Sequence, residues 1–125
     1  MSLRYLPTGA ALAAAVALAG CASLSSAPSA TARLEPTRGN STQGTVRFVQ
    51  NGDAVRVSGT VSGLKPGAEH GFHIHEKGDC SSGDGNSAGG HFNPTGTPHG
   101  QHGKGPHPTG DLPSLRADGS GVATF

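Results

Sequence analysis

The sequence predicts an all-β fold beyond its N-terminal segment, for two reasons. Glycine and proline are dense, with 21 and 9 residues in a chain of 125, and no stretch beyond that segment repeats apolar residues at the 3.6-residue period of a helix. Several short segments instead alternate apolar and polar side chains, which is the pattern of a strand that buries one face. The sequence therefore favours short strands joined by turns and loops.

The clearest predicted element is a β-hairpin. Residues 45–50 and 54–62 both alternate, and the Asn-Gly-Asp sequence at 51–53 favours a tight turn between them. The side chains predicted on the buried faces are apolar: Val46, Phe48, Val55, Val57 and Val61. The pair is predicted to form a half-buried sheet.

Weaker signals predict a turn at residues 64–67, a strand at 71–75 and the start of a strand at 122–125. No strand pattern occurs between His75 and Leu115. A loop of about 40 residues is uncommon in a compact domain unless it is functional or otherwise ordered. Most of the seven histidines lie in this loop, so we expect bound metal to order it.

Composition limits the classes of function. The formal net charge is +1, without a basic patch or interleaved aromatic residues, so nucleic acid is not expected as a partner. Large apolar side chains are few, and a domain of about 90 residues with so little apolar material cannot rely on its core alone. Metal ions or a disulfide are the usual supplement, and the histidines point to metal.

The N-terminus is predicted to be a targeting segment. Arg4 gives it a positive charge, and residues 10–19 form an apolar run too short to span a membrane. Residues 1–20 are predicted to be a signal peptide ending in Leu-Ala-Gly before Cys21, which resembles the lipobox of bacterial lipoproteins. In that class the cysteine carries the lipid. An ordinary signal peptide that happens to contain a cysteine is the alternative.

A lipid on Cys21 would anchor the protein to a membrane, on the periplasmic side of the bacterial cell envelope. Residues 21–32, with a core rich in Ser, Ala and Pro, are predicted to be a flexible tether. Residues 33–125 are then expected to belong to one domain, as its N-terminal part.

The sequence Gly71-Phe72-His73-Ile74-His75 carries the strongest chemical signal. In a strand, His73 and His75 share one face, while Phe72 and Ile74 point to the other. Two imidazoles a strand repeat apart can bind one copper or zinc ion. Taken alone, the pattern has an alternative, which is two histidines that face solvent.

Further motifs follow in order: Asp79-Cys80, Gly-Gly-His-Phe-Asn-Pro at 89–94, His99-Gly100, and Gly-Asp-Leu-Pro at 110–113. Together with the His-x-His sequence they resemble the copper/zinc superoxide dismutases, in the form found in bacterial envelopes. The likeness runs from about Ala32 to Phe125. It implies a Greek-key β-sandwich or flattened barrel with long metal-binding loops, copper and zinc as cofactors, and superoxide as substrate.

The same resemblance implies roles for individual residues. His73 and His75 correspond to copper ligands, and His91 corresponds to the histidine that bridges copper and zinc. His99 and Asp111 correspond to zinc ligands. In the family the bridging histidine takes a proton when copper is reduced and releases it to nascent peroxide, so His73, His75 and His91 are the expected catalytic residues.

One zinc ligand departs from the family pattern. The family places a histidine three residues before the zinc aspartate, where this chain has Pro108. Either His107 takes its place, with His102 as the poorer candidate, or the third zinc histidine is lost; we expect His107 to serve. Like His102, His70 matches no ligand position, and both are expected to be solvated.

The chain also ends early by comparison with the family. The resemblance implies a further copper histidine, a cysteine and an arginine beyond Phe125, and Cys80 matches the loop half of the family's disulfide. The sequence is therefore expected to be a fragment, or the product of an early stop. As it stands we expect it to be poorly folded and at most feebly active, with no partner for Cys80 because Cys21 is lipidated.

Three functions remain open at this point. The leading hypothesis is an oxidoreductase that converts superoxide to oxygen and hydrogen peroxide. The alternative is a non-catalytic envelope lipoprotein that binds copper or zinc through the same residues. A Gly- and His-rich segment with incidental metal affinity is the third, and the ordered motifs disfavour it. The sequence leaves the oligomeric state open.

Overall fold

The computed structural model describes residues 26–98, 100 and 102–125, and almost all regular structure in this part is β. Its elements are β1 Ser29–Leu34, β2 Gln43–Asn51, β3 Ala54–Ser62, β4 Glu69–His70, a single 3-10 turn Asn86–Ala88, β5 Leu115–Arg116 and β6 Ala123–Thr124. The all-β prediction is confirmed. No helix in this part is long and apolar enough to cross a bilayer.

The strands form two antiparallel sheets. The larger has the order β1-β2-β3-β6, and the smaller pairs β4 with β5. Asn51 pairs with Ala54 across the two-residue turn between β2 and β3, so the predicted hairpin is confirmed. The turn predicted at 64–67 is also present, and the backbone N–H of Ala68 donates to the Lys65 carbonyl at 3.2 Å.

The core lies beneath one end of this hairpin. Its members are Val61, Leu115 and Ala123, with Leu34, Leu64, Phe72 and Phe125 packed against them. Val46 and Val61 are 1% and 2% exposed, whereas Val55 is 52% exposed. The predicted apolar face of β3 is therefore fully buried only at its Val61 end, since β6 pairs with β3 through Thr60 and Val61 in the described residues.

Strand β1 corrects the tether predicted over residues 21–32. It pairs with β2 along its whole length, from Ser29 opposite Val49 to Leu34 opposite Gly44, so residues 29–32 belong to the sheet. Small side chains gave no strand signal here because the propensity of an edge strand depends strongly on its partner. The signal peptide and Cys21 lie outside the described residues.

Residues 71–75 correct a second prediction, because they do not form a regular strand. His73 makes an isolated bridge with Asp111, and His75 makes one with His91. The two partners lie on different segments, so no continuous ladder with a single strand can form. The alternation of side chains is kept, but the regular strand β4 precedes this segment.

Candidate metal centre

Three chain segments meet where the predicted ligands lie. The backbone N–H of Ile74 donates to the Gly110 carbonyl, that of Phe92 to the Ile74 carbonyl, and that of Gly110 to the Phe92 carbonyl, each at 2.8 Å. We call this closed ring of hydrogen bonds the three-segment junction. It pairs backbone groups of three segments without a regular sheet, and each of its members is next in sequence to at least one predicted ligand.

Gly110 is required for this close approach. A Cβ at that position would lie 2.5 Å from the Ile74 carbonyl oxygen and 2.9 Å from both the backbone N and O of Phe92. Contacts this short with backbone atoms force a local shift, because no flexible side chain can move away. The glycine before Asp111 therefore allows the three segments to touch.

His73, His91 and Asp111 bring their ligand atoms together at the junction, all within 4.8 Å of one another. Nδ1 of His91 lies 2.6 Å from Oδ1 of Asp111, and Nδ1 of His73 lies 3.3 Å from the same oxygen. The Asp111 side chain is only 3% exposed. A carboxylate this buried is stable because it accepts charge-assisted or polar hydrogen bonds, which the histidines provide.

His75 lies beside this group rather than within it. Its ring is edge-on to that of His91, with centroids 5.2 Å apart, and its Nδ1 lies 2.8 Å from the Gly89 carbonyl oxygen. A carbonyl oxygen only accepts, so Nδ1 of His75 carries the proton and Nε2 presents the lone pair. A backbone partner of this kind is typical of metal-binding histidines.

Gly89 holds that carbonyl in place through a conformation that other residues rarely adopt, with φ at +73°. A Cβ there would lie 2.5 Å from Oε1 of Glu76, and the same oxygen accepts the N–H of Gly90 at 3.4 Å. The N–H of Glu76 in turn donates to the Gly90 carbonyl at 2.9 Å. Glu76 and Gly89 thus orient His75 without being ligands.

Burial lowers the pKa of His73 below its ordinary value of 6.5, and the neighbouring His91 lowers it further, while Asp111 acts in the opposite direction. The rings of His73 and His91 stack, with centroids 4.1 Å apart and planes 19° apart. A lowered pKa favours the neutral imidazole, which is the form that binds a metal ion.

The donor set fits copper and zinc. Two imidazoles and a buried carboxylate converge, with a third imidazole from His75 adjacent to them. Nitrogen with one carboxylate oxygen is the ligand chemistry of zinc, and imidazole also suits copper. The predicted ligands His73, His91 and Asp111 are therefore brought together, and His75 lies at their edge.

The structure places the other predicted residues elsewhere. His107 is not in the group, because its Nδ1 lies 2.9 Å from the Pro108 carbonyl and its ring lies beside His102. Cys80 is an exposed thiol and forms no disulfide within the described residues. His99 lies outside the described residues, as does Cys21.

Sequence reasoning missed the residues that position the ligands. None of these residues is a predicted metal ligand. Gly110 determines how closely the three segments approach, and Gly89 and Glu76 determine how the ring of His75 is oriented. A signal was present, since a glycine directly precedes both His91 and Asp111. A glycine beside a metal ligand often marks a close backbone approach.

Comparison with known proteins now agrees with this geometry. The family model described as copper/zinc superoxide dismutase matches residues 42–125. The chain is 47% identical over 83 residues to a copper/zinc superoxide dismutase of Paramecium bursaria Chlorella virus 1, covering 66% of this chain and 44% of that protein. It is 46% identical over 84 residues to copper/zinc superoxide dismutase 2 of Brassica juncea, covering 66% and 54%.

A third similar protein is named as a copper chaperone and not as a superoxide dismutase. The chain is 47% identical over 90 residues to the copper chaperone for superoxide dismutase of Mus musculus, covering 68% of this chain and 31% of that protein. The chain therefore spans about half the length, or less, of these curated relatives.

Proposed function

Because the chain belongs to the copper/zinc superoxide dismutase family, we propose that its metal centre serves the dismutation of superoxide. Two superoxide ions and two protons give one oxygen and one hydrogen peroxide. The observation that supports this most directly is the convergence of His73, His91 and Asp111 at the three-segment junction, with His75 beside them. Copper supplies the one-electron redox chemistry when bound, and zinc supplies none of its own.

His91 is the residue on which the proposed centre depends most. Its ring stacks on that of His73, lies nearly perpendicular to that of His75, and faces Asp111 through Nδ1. We assign copper binding to the three histidines, zinc binding to His91, His99 and Asp111, and the handling of the proton to His91. Nδ1 of His91 lies 2.6 Å from Oδ1 of Asp111, so the carboxylate fixes the orientation of the ring before a metal ion binds.

We also propose that the protein is anchored in the bacterial cell envelope by a lipid on Cys21. The Leu-Ala-Gly sequence before Cys21 supports this. Wild-type protein expressed in a bacterium should fractionate with membranes, and Cys21→Ala should release it into the soluble fraction. An identical distribution of the two proteins would contradict the anchor.

Metal binding without turnover is the second candidate function. It is favoured by the similarity to a protein named copper chaperone for superoxide dismutase. A protein this similar in sequence is thus named as a copper chaperone and not as the dismutase. The two functions share the ligands and differ in whether bound copper cycles with superoxide.

Direct measurement of superoxide decay separates these functions. Protein loaded with copper and zinc is treated with a chelator to remove loose copper, and its activity is compared with that of free copper. Chelator-resistant decay that His91→Ala abolishes supports the enzyme. Retention of both metals without decay above the background supports the binding protein.

Metal content of the same variants tests the assignment of ligands. His91→Ala should lower both copper and zinc, whereas His73→Ala should lower copper alone. His70→Asn, which removes a histidine from β4, is the matched control and should keep both ions. Equal loss of both ions in all three variants would indicate general unfolding, and would reject the proposed assignment.

A further inference from the structure

We propose that His102 and His107 form a second metal site, separate from the centre at the three-segment junction, which takes up copper(II) from solution. Their rings lie beside each other, with centroids 4.7 Å apart and planes 53° apart. His102 is exposed and His107 is half-buried, so an ion can reach both from the solvent.

The hydrogen bond of His107 sets the ring nitrogen that is available. Its Nδ1 lies 2.9 Å from the carbonyl oxygen of Pro108. Because that oxygen only accepts, Nδ1 carries the proton and the lone pair lies on Nε2. The same carbonyl accepts the N–H of Asp111 at 3.0 Å. The partner of His107 is therefore held by the backbone, as is usual for a metal-binding histidine.

The spacing of the two rings suits a shared ion. A metal–nitrogen bond of about 2.0–2.1 Å places the ring centroid about 3.2 Å from the ion, and two such ligands at tetrahedral or right angles then have centroids about 4.5–5.2 Å apart. The observed 4.7 Å lies within this range.

The loop that carries the pair closes on itself. A side chain at Gly100 would collide with the backbone carbonyl of Pro106, so Gly100, two residues before His102, lies close to the segment that carries His107. This closure keeps the two rings near each other at little further entropic cost. Two imidazoles leave the other coordination positions to water, and such a site favours copper(II) over zinc.

Copper titration of the full chain tests this site. Protein stripped of metal is titrated with copper(II), and bound copper is counted by calorimetry and electron paramagnetic resonance. His102→Asn with His107→Asn should bind one copper fewer per chain, and each single variant should weaken that copper roughly tenfold or more. Lys104→Gln, in the same loop, is the matched control and should retain the full number.

A second variant tests the His102–His107 site separately from the proposed dismutase centre. In the variant that combines His73→Asn, His75→Asn and His91→Asn, the centre at the junction loses its three copper-binding imidazoles, and one copper with two nitrogen ligands should remain. Failure of that variant to bind copper would overturn the second site. An unchanged copper count in the His102 and His107 double variant would overturn it too. A separate zinc titration in which that variant also loses one zinc would overturn it as well, since His107 would then be a ligand of the main centre.

Discussion

The β2–β3 hairpin and the three-segment junction hold this chain together in different ways. The hairpin aligns nine residue pairs, from Gln43 opposite Ser62 to Asn51 opposite Ala54. The segments of the junction share fewer backbone bonds: besides the three of the ring, Leu112 donates to Phe72, Glu76 to Gly90 and Lys77 to Ala88 in the described residues. A ladder tolerates the loss of one rung because its many neighbours keep the register, whereas the junction has few neighbouring bonds to do so.

The difference shows how a site can be ordered without regular structure. Ile74, Phe92 and Gly110 are far apart in sequence, so two loops must close before their hydrogen bonds form. Once closed, they place ligands from all three segments within reach of one ion. We therefore expect changes at the junction to affect metal binding and stability together, and changes in the hairpin to affect stability alone.

Gly110→Ala should have the largest effect. The added Cβ would strike backbone atoms of both Ile74 and Phe92, so we expect a loss of about 3 kcal/mol in the free energy of unfolding. Zinc affinity should fall roughly tenfold or more, since the junction positions Asp111 against His91. Urea unfolding of the metal-free protein and competition with a zinc chelator measure the two effects.

Gly78→Ala is the matched control for that substitution. A Cβ at Gly78 meets no atom within 4 Å, and its backbone does not need the left-handed conformation. Its effect on stability should stay within about 0.5 kcal/mol. If Gly110→Ala proved as mild as Gly78→Ala, the junction would not be what holds the site.

Val46→Ala should have an intermediate effect, confined to stability. Val46 is 1% exposed in the middle of β2, and removal of its two methyl groups should cost about 2 kcal/mol. Val55→Ala, at a position 52% exposed on β3, should cost well under half of that. The zinc affinity of the folded protein should be unchanged in both. A fall comparable to that of Gly110→Ala would show that the sheet and the junction are coupled.

The sequence predicted the hairpin better than the junction, for a physical reason. Strands β2 and β3 follow from local alternation and a short turn, which are properties of neighbouring residues. The junction depends on contacts between residues far apart in sequence, and the only local sign of these contacts is a glycine next to a ligand. Resemblance to a family suggested which residues are ligands, whereas the roles of Glu76, Gly89 and Gly110 became clear only from the structure.

Strand β1 and His107 are two further places where contacts between distant residues decided the structure and the local sequence did not indicate it. The small residues of β1 become a strand because β2 lies alongside, and composition alone suggested a tether. His107 is one residue from the position that the family pattern requires, yet its ring lies against His102. One residue of displacement along an extended chain turns a side chain to the opposite face, so closeness in sequence did not bring it to the centre.

The smallest predicted effect is a pH dependence that the junction has and the hairpin lacks. Burial, followed by the neighbouring His91, lowers the pKa of His73 in the folded protein below 6.5. As the pH falls through 6.5, the unfolded chain takes up a proton at this residue before the folded chain does. Stability is therefore lost as the pH falls towards the folded pKa, and the contribution is constant above 6.5.

His73→Gln removes this titration. The metal-free variant should therefore lose less free energy of unfolding than metal-free wild type between about pH 7.5 and about pH 5. These limits lie about one pH unit or more on either side of the ordinary pKa of histidine. The measurement is the urea midpoint of both proteins across that range, in the presence of a chelator. Val46→Ala changes no titratable group and should stay parallel to wild type. Parallel curves for His73→Gln and wild type would contradict the prediction, because they would mean that protonation of His73 is not opposed by its surroundings at the junction.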